Sequence, residues 1–187
     1  MNYVTVIATQ KLNDKDKQVG IFFDRNRLRR WVVNASPLIL LGKIGRLGLL
    51  FELADAVVAP RAVISEIAAK PDGVQILHRL SRYTSYFAAS DERVRSEILS
   101  WDLGAGETQV VANAQLYGAD RLVLDDMAAR RCAMAMGFNV IGTLGVVGRA
   151  KHMGKIERAA PIIERLRQTG LYVSEELVRW VLHEVGE

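Results

Sequence analysis

Carboxylate and amide side chains recur at the ends of the predicted strands and near the starts of the helices that follow them. Asn34 ends the first strand, Glu66 lies in the helix after the second strand, and Glu107 opens a helix after a glycine-rich turn. Asp125 and Asp126 end the fourth strand. If the strands are parallel, these positions converge on one edge of the sheet, where open α/β sheets build their ligand sites.

Such a group of side chains suits hydrolytic chemistry that depends on a metal ion. Clustered carboxylates repel one another and take up protons unless a positive charge neutralises them. Oxygen ligands favour hard cations such as Mg²⁺ or Mn²⁺, and such a cation can activate a water for attack on a phosphodiester. We therefore predict a catalytic set that includes Asn34 and whose metal ligands are Glu66, Glu107, Asp125 and Asp126.

The same acids have an alternative, purely structural interpretation. Glu107 favours a helix N-terminus because the helix dipole is positive there. Asp125 or Asp126 is a suitable N-cap for the next helix. Under this interpretation the acids are solvated helix caps.

The segment that positions Asn34 has the pattern of a buried strand turning directly into a helix. The run from Trp31 to Val33 is aromatic and β-branched, which is typical of a strand covered on both faces of a parallel sheet. We expect Ser36 to be the N-cap of the helix and Pro37 to take its first position. The Ser36 hydroxyl is also a candidate contact for the substrate.

The rest of the chain alternates short strands with helices, which predicts a three-layer α/β/α fold with a mostly parallel sheet of about five strands. The other predicted strands are 56–59, 83–88, 121–124 and 139–141. The predicted helices are 38–54 with a break near 42–48, 61–69, 74–80, 91–101 capped by Ser90, 107–117, a helix ending at Met136, 143–153, 156–168 and 174–185.

Several motifs, in this order, resemble a PIN-like domain. They are VVNASPLI, APRAVISEI, GAGETQVVA, LVLDDMAARR and GTLGVV, and they span roughly 31–156. More narrowly, they resemble a prokaryotic branch with an SPL turn and a GTLG segment, similar to toxin nucleases of the VapC kind. The resemblance implies a metal-dependent ribonuclease, often dimeric and often inhibited by a small antitoxin protein.

The same resemblance assigns the acidic positions. Asn34 stands at the first, Glu66 at the second, Glu107 at the third, and Asp125 or Asp126 at the fourth. The family's first position is normally Asp, so this chain departs from the pattern. An amide oxygen can ligate a metal, but it brings no charge and is a poor base. We therefore keep two hypotheses: a Mg²⁺- or Mn²⁺-dependent ribonuclease that acts on RNA, or a degenerate PIN-fold protein that binds or regulates a partner.

Other polar residues are candidates for contact with the RNA. Thr143 ends the fifth strand and is expected to line the acidic edge. Arg149 and Lys151 belong to a basic cluster that can contact phosphates without reading sequence, although a solvated helix end explains them equally well. Arg130 and Arg131 follow the aspartate pair by one turn, and we expect them to pair with acids.

Charge and composition divide the chain into three parts. The net charge of +4 arises entirely in residues 1–30, which we interpret as a basic N-terminal arm. The PIN-like domain is assigned to 31–155. Residues 156–187 form a helical extension that either packs on the domain or forms the interface of a homodimer.

Composition also limits the setting in which the protein works. The single cysteine, Cys132, excludes an internal disulfide and is expected to be a small core residue. No stretch has the roughly 18 uncharged apolar residues that a membrane span needs. The N-terminus lacks an apolar secretory segment, so we expect a cytoplasmic protein without a membrane partner.

Overall fold

The computed structural model describes residues 28–187. The predicted basic arm therefore lies outside the described residues, except for its last three positions. At that boundary the Arg29 side chain forms an exposed ion pair with Asp55, with 2.8 Å between Nη2 and Oδ1.

Five parallel strands form one sheet, which confirms the predicted fold class. In chain order they are β1 (Arg30–Val33), β2 (Ala56–Pro60), β3 (Tyr86–Ala89), β4 (Arg121–Val123) and β5 (Val140–Ile141). Their order across the sheet is β3-β2-β1-β4-β5, and every neighbouring pair is parallel. The strand that precedes Asn34 is the central one, since β1 pairs with β2 on one side and β4 on the other.

Helices flank this sheet and bury both of its faces. In the described residues they are α1 (Ala35–Lys43), α2 (Gly48–Leu53), α3 (Arg61–Ala68), α4 (Gly73–Leu80), α5 (Ser96–Leu99), α6 (Ala105–Leu116), α7 (Met127–Ala135), α8 (Thr143–His152), α9 (Ala160–Thr169) and α10 (Glu175–Glu184). Trp31, Val32 and Val33 in β1 are at most 1% exposed, as expected for a strand covered on both faces. Cys132 is a buried core residue, as predicted.

The start of α1 differs from the sequence prediction. The helix begins at Ala35, and Asn34 occupies the N-cap position without a capping bond from its side chain. Ser36 is therefore the second helical residue, and its hydroxyl bonds elsewhere. Pro37 is the third helical residue, still within the first turn, where its missing N–H leaves no intrahelical bond unmade.

The predicted helix over 91–101 is wrong for most of its length, because only Ser96–Leu99 is helical. Oδ1 of Asp91 instead accepts a 2.8 Å hydrogen bond from the backbone N–H of Ala62, in the first turn of α3. The backbone of Glu92 is held from both sides by the Gln109 side chain. These long-range bonds hold a non-helical backbone, so tertiary contacts override the local helix pattern.

The last two helices pack on the domain through apolar faces. Ile162, Ile163 and Leu166 of α9 are buried, as are Val178 and Val181 of α10. The α9 helix begins at Ala160, four residues later than predicted. No helix in the range 28–187 has both the length and the apolar content needed to cross a membrane.

Candidate functional site

The candidate site lies at the carboxyl edge of the sheet, where the strand order reverses. The chain runs outward from β1 to β2 and β3, and then returns to β1's other side with β4. Asn34 follows β1 directly, and its backbone N–H bonds to the carbonyl of Val123 at 3.1 Å. Asp125 lies two residues beyond Val123, so both side chains emerge at the switch point where parallel sheets bind ligands.

Three oxygen-bearing side chains, Asn34, Glu66 and Glu107, lie near the start of α6; we call them the Gly106 cluster, after the glycine that Asn34 and Glu66 approach. Nδ2 of Asn34 donates a 2.9 Å hydrogen bond to Oε1 of Glu107 in the first turn of α6. A Cβ placed on Gly106 would lie 2.9 Å from Oε2 of Glu66 and 3.0 Å from Oδ1 of Asn34. The glycine therefore keeps open the space that these two oxygens face.

Burial and like charge govern the electrostatics of the Gly106 cluster. Asn34 is 2% exposed, and within residues 28–187 its buried Oδ1 has no hydrogen-bond partner, which is costly for a buried acceptor. Burial raises the pKa of the Glu66 carboxyl, and repulsion from Glu107 raises this pKa further, although Lys70 partly opposes the shift. A cation among these oxygens would relieve both the orphaned acceptor and the repulsion.

The two aspartates after β4 have different roles. Oδ2 of Asp125 accepts from the Ser36 hydroxyl at 3.0 Å and from the Thr143 hydroxyl at 2.7 Å, and its Oδ1 accepts from the Thr143 backbone N–H at 2.7 Å. Asp126 instead caps α7 by accepting from the backbone N–H of Ala129. Asp125 is therefore the aspartate at the sheet edge, and it ties the start of α1 to the start of α8.

The donor set fits a hard divalent cation, but with fewer acids than the sequence predicted. Within residues 28–187 no three His, Cys, Asp or Glu side chains are grouped so that they could hold a metal ion. Asp126 is used as a cap, and Asp125 is already bonded to Ser36 and Thr143. The remaining donors are two carboxylates and one amide oxygen, which suit a cation that keeps several waters.

A pair of side chains that the sequence did not single out helps to hold the acids in place. Asp91 caps α3, which carries Glu66, and Gln109 belongs to α6, which carries Glu107. The Gln109 amide accepts from the Glu92 N–H at 2.8 Å and donates to the Glu92 carbonyl at 2.9 Å. The short segment at 91–92 thus links α3 to α6. Gln109 is almost fully buried within a helix, but a single sequence does not reveal what it binds.

Two predicted substrate contacts lie away from the Gly106 cluster. Thr143 is at the start of α8, whereas Arg149 and Lys151 are near its end. Arg149 is close enough to contribute to the lowered pKa of Arg121, after the larger effect of burial. Arg121 begins β4, so this basic group lies at the amino edge of the sheet. Lys151 donates to the carbonyl of Glu157 at 2.6 Å. The structure does not bring Arg149 and Lys151 to the carboxyl edge.

Arg130 does lie at the carboxyl edge. One of its terminal nitrogens, Nη1, donates to the carbonyl of Leu124 at 3.0 Å. A Cβ placed on Gly142 would lie 3.0 Å from this Nη1 and 3.1 Å from Oδ1 of Asp125. Neither Arg130 nor Arg131 has a carboxylate of the described chain within 4.0 Å, so the expected ion pairs do not form with any acid in residues 28–187.

Comparison with known proteins places this geometry in a family. A protein-family model described as a PIN domain, DUF3368, matches residues 30–187. The match runs from β1 to the end of the described chain and includes α9 and α10. A search of curated proteins found no similar sequence. With more than half of its residues matched, the chain belongs to the PIN-domain family, which indicates a nuclease-type function.

Proposed function

We propose that this PIN domain is a metal-dependent ribonuclease that hydrolyses RNA phosphodiesters at the Gly106 cluster. The observation that carries the proposal is the buried Oδ1 of Asn34. It has no hydrogen-bond partner among the described residues, and it lies beside Gly106 together with Oε2 of Glu66. A buried acceptor beside two carboxylates is an environment that a hard cation stabilises. The family match supports the same class of chemistry.

In this proposal Glu66, Glu107 and Oδ1 of Asn34 hold Mg²⁺ or Mn²⁺. When bound, the ion would polarise a phosphoryl oxygen and make a nearby water more acidic. Burial and repulsion from Glu107 raise the pKa of Glu66, and a bound cation would offset this repulsion and favour the ionised carboxylate that ligates it. Ser36 and Thr143 act indirectly, since both donate to Asp125 and hold α1 and α8 at the edge.

The resemblance to toxin nucleases extends the proposal to partners. It includes a homodimer and a small antitoxin protein that blocks the site. Light scattering on the purified chain tests the first. Cleavage assays with the product of a neighbouring gene test the second.

A second candidate is a PIN-fold protein that binds a partner without cleaving it. The specific observation in its favour is the hydrogen bond from Nδ2 of Asn34 to Oε1 of Glu107. This bond joins the two positions without any metal ion, whereas two carboxylates in the same contact would repel each other. The Gly106 cluster can therefore persist in a protein that has lost turnover.

Cleavage of RNA in the presence of Mn²⁺ separates the two candidates. We expect the wild type to cleave, Glu107→Gln to be slower by at least ~100-fold, and the exposed control Glu176→Gln to be unchanged. Equal, metal-independent rates for wild type and Glu107→Gln would remove the catalytic proposal. An inactive wild type together with an active Asn34→Asp would establish the second candidate instead.

A further inference from the structure

The carboxyl edge of the sheet carries a positively charged side chain, Arg130, that has no role in the Gly106 cluster described above. Arg130 extends from α7 back over the ends of β4 and β5, where its Nη1 bonds to the carbonyl of Leu124. The guanidinium lies against Gly142, close to the carboxylate of Asp125. Gly142 permits this approach, because a Cβ there would be only 3.0 Å from Nη1.

The carboxylate beside this arginine does not form an ion pair with it. Both oxygens of Asp125 accept hydrogen bonds from Ser36 and Thr143, and no described carboxylate lies within ion-pair distance of Arg130. A guanidinium has five N–H donors, and only Nη1 has a hydrogen bond within residues 28–187. Because the side chain is half-buried, its charge is less screened than that of an exposed arginine.

A negatively charged substrate needs such a group at this edge. Glu66, Glu107 and Asp125 all repel a phosphodiester, and the exposed Arg149 lies at the opposite edge of the sheet. Arginine is the side chain best matched to phosphate, because its planar fork donates two parallel hydrogen bonds. The unused N–H groups of Arg130 are placed to serve as that donor.

We propose that Arg130 binds a phosphate of the RNA strand beside Asp125 and so positions the strand at the Gly106 cluster. The inference rests on the proposed function, since it takes RNA to be the substrate. It assigns to Arg130 the phosphate contact that the sequence analysis assigned to Arg149 and Lys151.

The test measures RNA binding without cleavage. A short fluorescein-labelled single-stranded RNA is titrated with the protein in EDTA over a series of salt concentrations, and its anisotropy is followed. Arg130→Gln should lose one phosphate contact. This loss should weaken RNA binding by about tenfold and reduce the slope of log K against log salt by about 0.7. Arg130→Lys should keep most of the slope because it keeps the charge.

The matched control is Arg131→Gln, which removes the same charge from the next residue of α7. Arg131 is exposed, and we expect its substitution to leave the salt slope within about 0.2 of the wild type. Equal losses for the two variants, an unchanged slope for Arg130→Gln, or no RNA binding by the wild type would overturn the inference. Thermal melting of each variant checks the fold. If Arg130→Gln unfolds, Arg130→Lys tests the contact by affinity: losing the planar fork should weaken RNA binding relative to Arg131→Gln while most of the salt slope remains, and affinity equal to the wild type would overturn the inference.

The outcomes separate this inference from the proposed function. If the protein binds RNA through Arg130 but never cleaves it, the ribonuclease proposal fails and the inference stands. If the protein cleaves RNA and Arg130→Gln binds like Arg131→Gln, the inference alone fails.

Discussion

Nδ2 of Asn34 donates a 2.9 Å hydrogen bond to Oε1 of Glu107, which joins the end of the central strand to the first turn of α6. A carboxylate at position 34 would put two negative charges into the same contact. The Asn34–Glu107 pair therefore determines how strongly the carboxyl edge requires a cation.

Replacing Asn34 by Asp should make the stability of the protein depend on metal. In chelator, the variant loses the bond to Glu107 and gains a repulsion, so we expect a loss of about 1–3 kcal/mol in the free energy of unfolding. Mn²⁺ should restore this loss by binding the folded state, at least ~10-fold more tightly than in the wild type. Thermal melting during a Mn²⁺ titration measures both effects. The exposed variant Gln75→Glu serves as the charge control. An Asn34→Asp protein that is as stable as the wild type in chelator and indifferent to Mn²⁺ would contradict the prediction.

The raised pKa of Glu66 predicts a particular pH dependence of stability. Because the folded protein binds this proton more tightly than the unfolded chain, stability falls as pH rises from the ordinary glutamate pKa through the raised one. Glu66→Gln removes this loss. Its melting temperature should therefore exceed that of the wild type above the raised pKa, and the difference should disappear in acid. Melting curves across a pH series test this, and a difference that does not change with pH would rule it out.

Filling the space at Gly106 should weaken metal binding without unfolding the protein. In Gly106→Ala, the new methyl group would lie 2.9 Å from Oε2 of Glu66 and 3.0 Å from Oδ1 of Asn34, which are the oxygens proposed to bind the ion. Alanine also favours the helix by up to about 1 kcal/mol over glycine. We expect Mn²⁺ affinity to fall by at least ~10-fold with little change in stability, as measured by calorimetry and melting. Gln115→Ala, on the exposed side of α6, is the control. Unchanged Mn²⁺ binding in Gly106→Ala would place the ion elsewhere.

The two aspartates after β4 should respond differently to the same substitution. The Asp125 carboxylate accepts three hydrogen bonds, from the Ser36 hydroxyl and from the hydroxyl and N–H of Thr143. Asp125→Asn replaces it with a neutral amide, so we expect a loss of about 3 kcal/mol in the free energy of unfolding. Asp126→Asn should change stability by less than about 0.5 kcal/mol, because asparagine is as good an N-cap as aspartate. Urea denaturation measures the two variants side by side. Equal effects would mean that Asp125 does not tie α1 to α8.

The fold was predictable because its signals are local and periodic. The run from Trp31 to Val33 identified a buried strand, and strands alternating with helices implied a parallel sheet. Parallel strands in turn placed Asn34 and Asp125 at one edge, which is where they lie. These inferences needed only the periodicity of the chain and the rule that such sheets bind ligands at their carboxyl edge.

The features that the sequence did not predict depend on contacts between residues that are distant in the chain. Whether Asp125 or Asp126 faces the site is decided by which one caps α7, and this was not visible in the sequence. The non-helical backbone at Asp91 and Glu92 is set by Ala62 and Gln109, which lie far from them in the chain. Arg149 lies away from the candidate site because α8 begins there and about 9 Å of helix separates Thr143 from Arg149.

The position of residue 34 is fixed by main-chain bonds, with β1 paired on both sides and the Asn34 N–H bonded to Val123. Asparagine and aspartate are nearly identical in size, so either side chain fits on this backbone. The scaffold thus allows a single unit of charge to be added or removed at constant geometry. Comparing the protein with asparagine and with aspartate at position 34 would show how much the activity of a hydrolytic centre depends on its charge and how much on its shape.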